Sequence, residues 1–276
     1  NCIFSILENS SDSDKFHFIC LYNVDLPSHL KTKLENMVGD RGYFSFMLVA
    51  DEFLTGIEVN QRYSSAAYYR LILADLLPNY DKVIYIDCDV IVRNNIASLF
   101  HHTDLANYYV AGVFESTLPE QYEHLNKIGC KPGEYINSGF LIMNLLKLRI
   151  DNIREEFLKV LKTNTFIFPD QDAINVVCKG KILGLEPIYN SIRVFFIPAY
   201  KPEFLKLYTE KQWDEVQERG IVHYTGNKPW KAYTIRFEIW WDYFKRMPKY
   251  IQDEGEKKKK VYLLYRLYAL PFGAFL

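Results

Sequence analysis

Val83-Ile84-Tyr85-Ile86-Asp87-Cys88-Asp89-Val90-Ile91-Val92 reads as a buried strand interrupted by two carboxylates one residue apart. In a continuous strand successive side chains alternate between faces, so Asp87 and Asp89 share a face and repel. A hydrophobic strand has no stability reason to hold such a pair unless a cation lies between them. Hard divalent ions take oxygen ligands, and a carboxylate pair at a strand end supplies them. Metal-assisted chemistry on a phosphorylated substrate is the first reading. A turn with one Asp capping and the other solvated accounts for the pair as well.

Around this stretch apolar segments recur in a strand-helix rhythm. Phe16 to Tyr22 and Tyr43 to Val49 read as strands, Ser28 to Val38 as a helix, and Ser64 to Leu77 as a helix closed by Pro78. Beyond it, Tyr109 to Val113 and Gly139 to Met143 are short strands flanking a polar excursion, Glu115 to Glu134. Ile150 to Leu161 and Gln171 to Cys178 are helical. Strands alternating with helices predict an α/β fold with a mainly parallel central sheet flanked by helices. Ligands bind such sheets outside the carboxyl ends of the strands, where Asp87 and Asp89 fall.

Composition narrows the class. At 276 residues the chain is one large domain, or one with an appendage, and 49% hydrophobic with 24% charged residues is ordinary for a soluble protein. A net charge of -1 argues against wholesale nucleic-acid binding. Five scattered cysteines with no Cys-x-x-Cys pair read as free thiols in a reducing compartment. No uncharged run is long enough to span a membrane, and no signal peptide is visible.

Three further clusters bear on chemistry. Asn137-Ser138-Gly139 precedes a buried strand, either as a turn with Gly at positive φ or as an amide that hydrogen-bonds a ligand. Asp170, Gln171 and Asp172 open a helix, where capping explains one Asp more readily than the whole cluster. His223-Tyr224-Thr225-Gly226-Asn227-Lys228-Pro229-Trp230 combines a strand-end His with a Gly turn and a Lys. That combination offers a third metal ligand and a cation for phosphate, with a Gly that admits close backbone approach.

Together with Tyr68-Tyr69-Arg70-Leu71, and in this order, these motifs resemble the family 8 glycosyltransferases, from about Asn1 to Trp241. That family includes bacterial lipopolysaccharide galactosyl- and glucosyltransferases and, more distantly, glycogenin. The resemblance implies a GT-A fold and a retaining transfer of galactose or glucose from a UDP-sugar to a saccharide or lipid-linked saccharide acceptor. It implies Mn²⁺, with Mg²⁺ as the alternative, held by Asp87, Asp89 and His223. Gly226 and Lys228 match diphosphate contacts, and Arg70, Asn137, Asp170 and Gln171 match positions around the donor sugar. Cys88 and Ser138 lie within the same donor-binding motifs, and Glu115 falls where relatives use Asp. For the chemistry at the anomeric carbon the candidates are Asp170, Gln171 and Asp172. Gln171 is a poor nucleophile and Asp172 a better one if it faces the sugar, while front-face attack needs neither.

Family members begin with a strand that holds the uridine, and this chain starts in the helix that would follow it. The expectation is a fragment of a longer protein, with a degenerate, non-catalytic remnant as the alternative. A haloacid-dehalogenase-type phosphatase also carries a strand-end Asp-x-Asp, but it leaves His223 to Trp230 unexplained. Residues 1-248 form the expected catalytic domain and 249-276 a tail. In that tail Lys257 to Lys260 precede an aromatic, apolar run that fits an anionic membrane surface, with a docked terminal helix as the alternative. The expected location is the cytoplasm, peripheral on the inner face of the plasma membrane.

Overall fold

The computed structural model describes residues 1-50, 55, 64-255 and 259-268. Nine strands are assigned among them: β1 (Phe16–Tyr22), β2 (Gly42–Leu48), β3 (Lys82–Ile86), β4 (Val90–Ile91), β5 (Val110–Gly112), β6 (Phe140–Asn144), β7 (Ile182–Gly184), β8 (Ser191–Ile192) and β9 (Val222–His223). They form a β1-β2 ribbon, a four-stranded sheet β3-β6-β5-β7, and a three-stranded sheet β4-β9-β8.

Burial explains why the middle strands read as continuous apolar runs. Phe140 and Ile142 of β6 face one core, while Leu141 and Met143 face another. Both faces of the four-stranded sheet are therefore covered, and period-two alternation is lost from the sequence. One cover is built on the helix Phe237–Arg246 with Trp213 and Val216; the other on Tyr68 to Leu77, Phe157 and the helix Pro169–Val177. The α/β expectation holds, but pairing is mixed. β1-β2, β5-β7 and β8-β9 are parallel, whereas β6 runs antiparallel to both β3 and β5 and β4 antiparallel to β9. The excursion from Glu115 to Glu134 returns the chain beside the strand it left, as a long hairpin connection does.

Three local expectations change. The stretch Val83 to Val92 is not one strand: β3 ends at Ile86, the chain turns through Asp87 to Asp89, and β4 starts a second sheet. Ser64 to Leu77 is not one helix but a 3₁₀ segment, Ser65–Leu71, followed by a short α-turn, Leu73–Leu76. Tyr68 through Leu71 are all buried, and packing on every side overrides helix propensity. The helix expected over Ile150 to Leu161 is broken by Asn152 in the left-handed region, giving Leu145–Ile150 and Ile153–Thr163.

At the carboxyl end the helix Lys259–Tyr268 docks on Phe237–Arg246. Val261 and Tyr265 are buried, the Tyr265 ring stacks on Trp241, and its hydroxyl donates to Asp242 Oδ1 at 2.6 Å. Residues 256-258 and 269-276 of the basic, aromatic tail lie outside the described residues. Among the described residues no helix is long and apolar enough to cross a membrane.

Candidate active site

The turn between β3 and β4 sets the site. Asp87 N–H still donates to Gly139 O at 2.9 Å, continuing the β3-β6 ladder by one residue. Two residues later the chain joins the other sheet, where Val90 pairs with His223 and Tyr224 N–H donates to Asp89 O. The acidic turn thus lies at the seam between two sheets, and strand register brings His223 against it.

His223 Nε2 lies 3.4 Å from Asp89 Oδ1 and 3.7 Å from Asp87 Oδ2. These three side chains form a cluster whose ligand atoms all lie within 4.8 Å of one another. The remaining oxygens are taken. Asp87 Oδ1 accepts from Arg70 Nη2 and from the Tyr85 hydroxyl, each at 2.8 Å. Asp89 Oδ2 accepts from Lys228 Nζ. Asp89 Oδ1 is buried and has no hydrogen-bond partner. Burial alone would raise the Asp89 carboxyl, but His223 in its protonated form and Lys228 outweigh it and hold the group well below the usual carboxylate range. An ionised, orphaned oxygen beside a ring nitrogen costs free energy in a protein interior unless a cation joins them. The donor set fits a divalent ion of the borderline, oxygen-and-imidazole kind.

Gly139 makes the approach of His223 sterically feasible. A Cβ there would lie 2.0 Å from His223 Cε1 and 2.7 Å from both ring nitrogens. The expectation of a positive-φ turn is replaced, since Gly139 is not among the glycines in that region. Close approach, not backbone conformation, requires Gly here. At Gly226 an added Cβ would meet nothing within 4 Å.

A second polar group borders the first. Arg70, buried, donates from Nη1 to Ser138 O and Oγ and pairs through Nε with Asp170 Oδ2 at 3.2 Å. The guanidinium thus links Asp87 to Asp170. Asn137 Nδ2 lies 3.0 Å from both Glu115 Oε1 and Gln171 Oε1, and Gln171 Nε2 donates to Glu115 Oε1. Burial raises the Glu115 carboxyl, with the bonds from Asn137 and Gln171 opposing it. Glu115 therefore belongs with Asn137 and Gln171.

Asp172 is placed differently. Its Oδ1 accepts from the Tyr135 hydroxyl at 2.5 Å and lies 3.0 Å from His124 Nε2, while Oδ2 accepts the N–H groups of Ile167 and Phe168. Fully buried, it holds the entry to the helix Pro169–Val177 rather than opening to a substrate. Cys88 is exposed at the turn as a free thiol. Sequence reasoning missed Tyr85, two residues before Asp87 in β3, and Asn190, whose Oδ1 lies 3.0 Å from His223 Nδ1. Asn190 is wholly buried, but it stands between Tyr189 and Ser191, so no apolar run marks it in the sequence.

The model of "Glycosyl transferase family 8" matches residues 1–234. The chain belongs to that family. Two curated relatives of this family 8 chain are General stress protein A of Bacillus subtilis and a lipopolysaccharide 1,2-glucosyltransferase of Escherichia coli. The first is 31% identical over 62% of this chain and 61% of its own length; the second is 33% identical over 63% and 52%. The match thus spans less than two thirds of either relative. Among solved structures, the galactosyltransferase LgtC in complex with donor and acceptor sugar analogs superposes with a TM-score of 0.71 at 24% identity, covering 91% of this chain and 93% of that one. The family 8 chain has the GT-A fold, and the phosphatase alternative falls with that assignment.

Proposed function

We propose that this family 8 chain transfers a hexose, galactose or glucose, from a UDP-sugar to a saccharide acceptor with retention at the anomeric carbon. The observation that carries this reading is the convergence of three open ligand atoms, Asp87 Oδ2, Asp89 Oδ1 and His223 Nε2, whose partner atoms on the same side chains are all bonded elsewhere. A divalent ion there, Mn²⁺ or Mg²⁺, supplies Lewis-acid neutralisation of the charge that builds on a departing diphosphate.

The chain's own residues complete the electrostatics. Lys228, bonded to Asp89 and to Tyr224 O, brings a second positive charge to the same side. Gly226 leaves room for close approach of a diphosphate to the backbone. Arg70, Ser138 and Asp170, with Asn137, Gln171 and Glu115, form a buried polar wall suited to sugar hydroxyls. Gln171 Oε1 already accepts from Asn137 and from Ser138 N–H, and both oxygens of Asp172 are committed. That neither Gln171 nor Asp172 is free as a nucleophile supports attack from the face the diphosphate leaves, in preference to double displacement.

Relatives that are lipopolysaccharide glucosyl- and galactosyltransferases favour a cell-surface glycan acceptor, free or lipid-linked. For a peripheral position on an anionic, cytoplasmic membrane face, the support left is charge: the Lys257 to Lys260 run leads into the helix Lys259–Tyr268, whose Val261 and Tyr265 are already packed inward.

The test is UDP release from UDP-galactose and UDP-glucose with Mn²⁺, against a chelated control and the Asp87→Asn and Asp89→Asn variants. Release that needs the metal and both carboxylates is expected. Equal release in chelator would refute the metal assignment, and silence with folded protein across both donors would favour a non-catalytic remnant.

A further inference from the structure

We infer that Asn190 is a positioning residue that fixes the tautomer of His223 and couples the metal ligand to the sugar-side wall; the metal part of this rests on the reading above. A backbone N–H can only donate, and one such group fixes the polarity of the chain. Gly139 N–H donates to the Asn137 side chain at 3.0 Å, so the atom it meets is the amide oxygen. The other end of Asn137 is then its NH₂, which donates to Glu115 Oε1 and Gln171 Oε1. Ser138 N–H likewise marks Gln171 Oε1 as an acceptor.

Asn190 approaches the Asn137 oxygen at 3.0 Å, and only its NH₂ can do so favourably. Its oxygen therefore faces His223 Nδ1, also at 3.0 Å, and that nitrogen must carry the proton. In a neutral imidazole with Nδ1 protonated, Nε2 holds the lone pair. That lone pair points toward Asp87 and Asp89, the orientation a cation requires. Every donor in the chain His223, Asn190, Asn137 points the same way and ends at the Glu115 carboxyl, so the dipoles reinforce one another. Metal-bound histidines commonly donate their other N–H to a carboxylate directly; here two amides stand between.

None of these groups has freedom to reverse. Asn190 is fully buried, His223 and Asn137 nearly so, and Gly139 packs against the ring. Turning the Asn190 amide over would set its oxygen against the Asn137 oxygen, breaking that bond, and would leave Nδ1 paired only in the opposite tautomer. One consequence is communication: a shift of Asn137 on sugar binding is transmitted to the ring that holds the ion.

Long-range ¹H–¹⁵N spectra of the metal-free protein, at a pH above the ordinary histidine range, report the tautomer directly, with His223→Gln identifying the signal. Wild type is expected to show Nδ1–H at His223; the Nε2–H form there overturns the assignment whatever the variants do. Asn190→Ala is expected to lose that preference and to weaken Mn²⁺ binding, titrated by electron paramagnetic resonance without donor, roughly 10- to 100-fold. Asn190→Asp, which still accepts from Nδ1–H, is expected to keep the tautomer and most of the Mn²⁺ affinity while losing the bond to Asn137. Unchanged Mn²⁺ affinity in a folded Asn190→Ala protein overturns the coupling. Wild type with Nδ1–H that binds no Mn²⁺ overturns the metal site proposed above and leaves the tautomer assignment standing, so the two readings fail separately.

Discussion

Gly139→Ala is the sharpest single test of the site, because one methyl group, with no change of charge or hydrogen-bonding group, acts directly on the position of His223. Gly139 is not in the left-handed region, so alanine meets no backbone penalty. The new Cβ would start 2.0 Å from His223 Cε1, whereas carbon atoms in contact sit roughly 3.5 to 4 Å apart. The ring must therefore retreat by about 1.5 Å. Metal-ligand distances tolerate only about 0.2 Å, so a retreat of that size takes Nε2 out of the coordination sphere. It also stretches the 3.0 Å bond from Nδ1 to Asn190 beyond use. Overpacking of this kind costs about 1 to 3 kcal/mol of stability. Losing the orientation of a ligand weakens metal binding about 10- to 100-fold, or about 1.4 to 2.7 kcal/mol. The assay is a Mn²⁺ titration by electron paramagnetic resonance on protein whose melting curve shows it folded. Mn²⁺ affinity within about threefold of wild type would refute both the packing argument and the role of His223 as a ligand.

Other expectations follow from the same geometry. Gly226→Ala, whose Cβ enters open space, is expected to leave Tm unchanged and to raise KM for the UDP-sugar; an unchanged KM would show that no diphosphate approaches that backbone. Asp172→Asn should lower Tm, by about 1 to 3 kcal/mol of stability, since an NH₂ replaces an oxygen that accepts two backbone N–H groups. Its kcat should stay within about tenfold of wild type, and a folded variant slowed by more than about a thousandfold would restore Asp172 as the nucleophile. Burial raises the folded pKa of Glu115 above the ordinary 4.5, so between the two values the folded chain holds a proton that the unfolded chain has released. This group's contribution to stability is thus greatest below 4.5 and falls as pH climbs through the raised value. Relative to wild type, Glu115→Gln should gain urea stability between acid and neutral pH; a pH-independent difference would refute the burial argument.

Much of the site was legible because its chemistry is carried by residue types that apolar strands otherwise avoid. Asp87, Asp89 and His223 stand out against their neighbours, and strand ends are where such sheets keep their ligands. The mechanism by which they meet was not legible. A continuous strand would have set the two carboxylates side by side, whereas the chain breaks at Asp87 and crosses to a second sheet. Pairing of Val90 with His223 is a contact across more than a hundred residues, and no local pattern encodes it. The split of Ser64 to Leu77 escaped for a related reason: its good helical spacing is overridden where Tyr68 to Leu71 are buried on all sides.

Asn190 shows why the remaining part of the site hides. An amide is equally at home in a turn, on a surface or in a core, so its type carries no prior for function. Its meaning comes from polarity, which is inherited along a chain of contacts that begins at the N–H of Gly139. Gly139 itself was read from sequence as a turn residue, yet it serves twice: as the space His223 needs and as the fixed donor that orients Asn137. A glycine's side is defined by what it lets in, and that is settled only when both strands are in place. The acidic turn supplies the charge of the site; these two uncharged residues decide which nitrogen of His223 faces it.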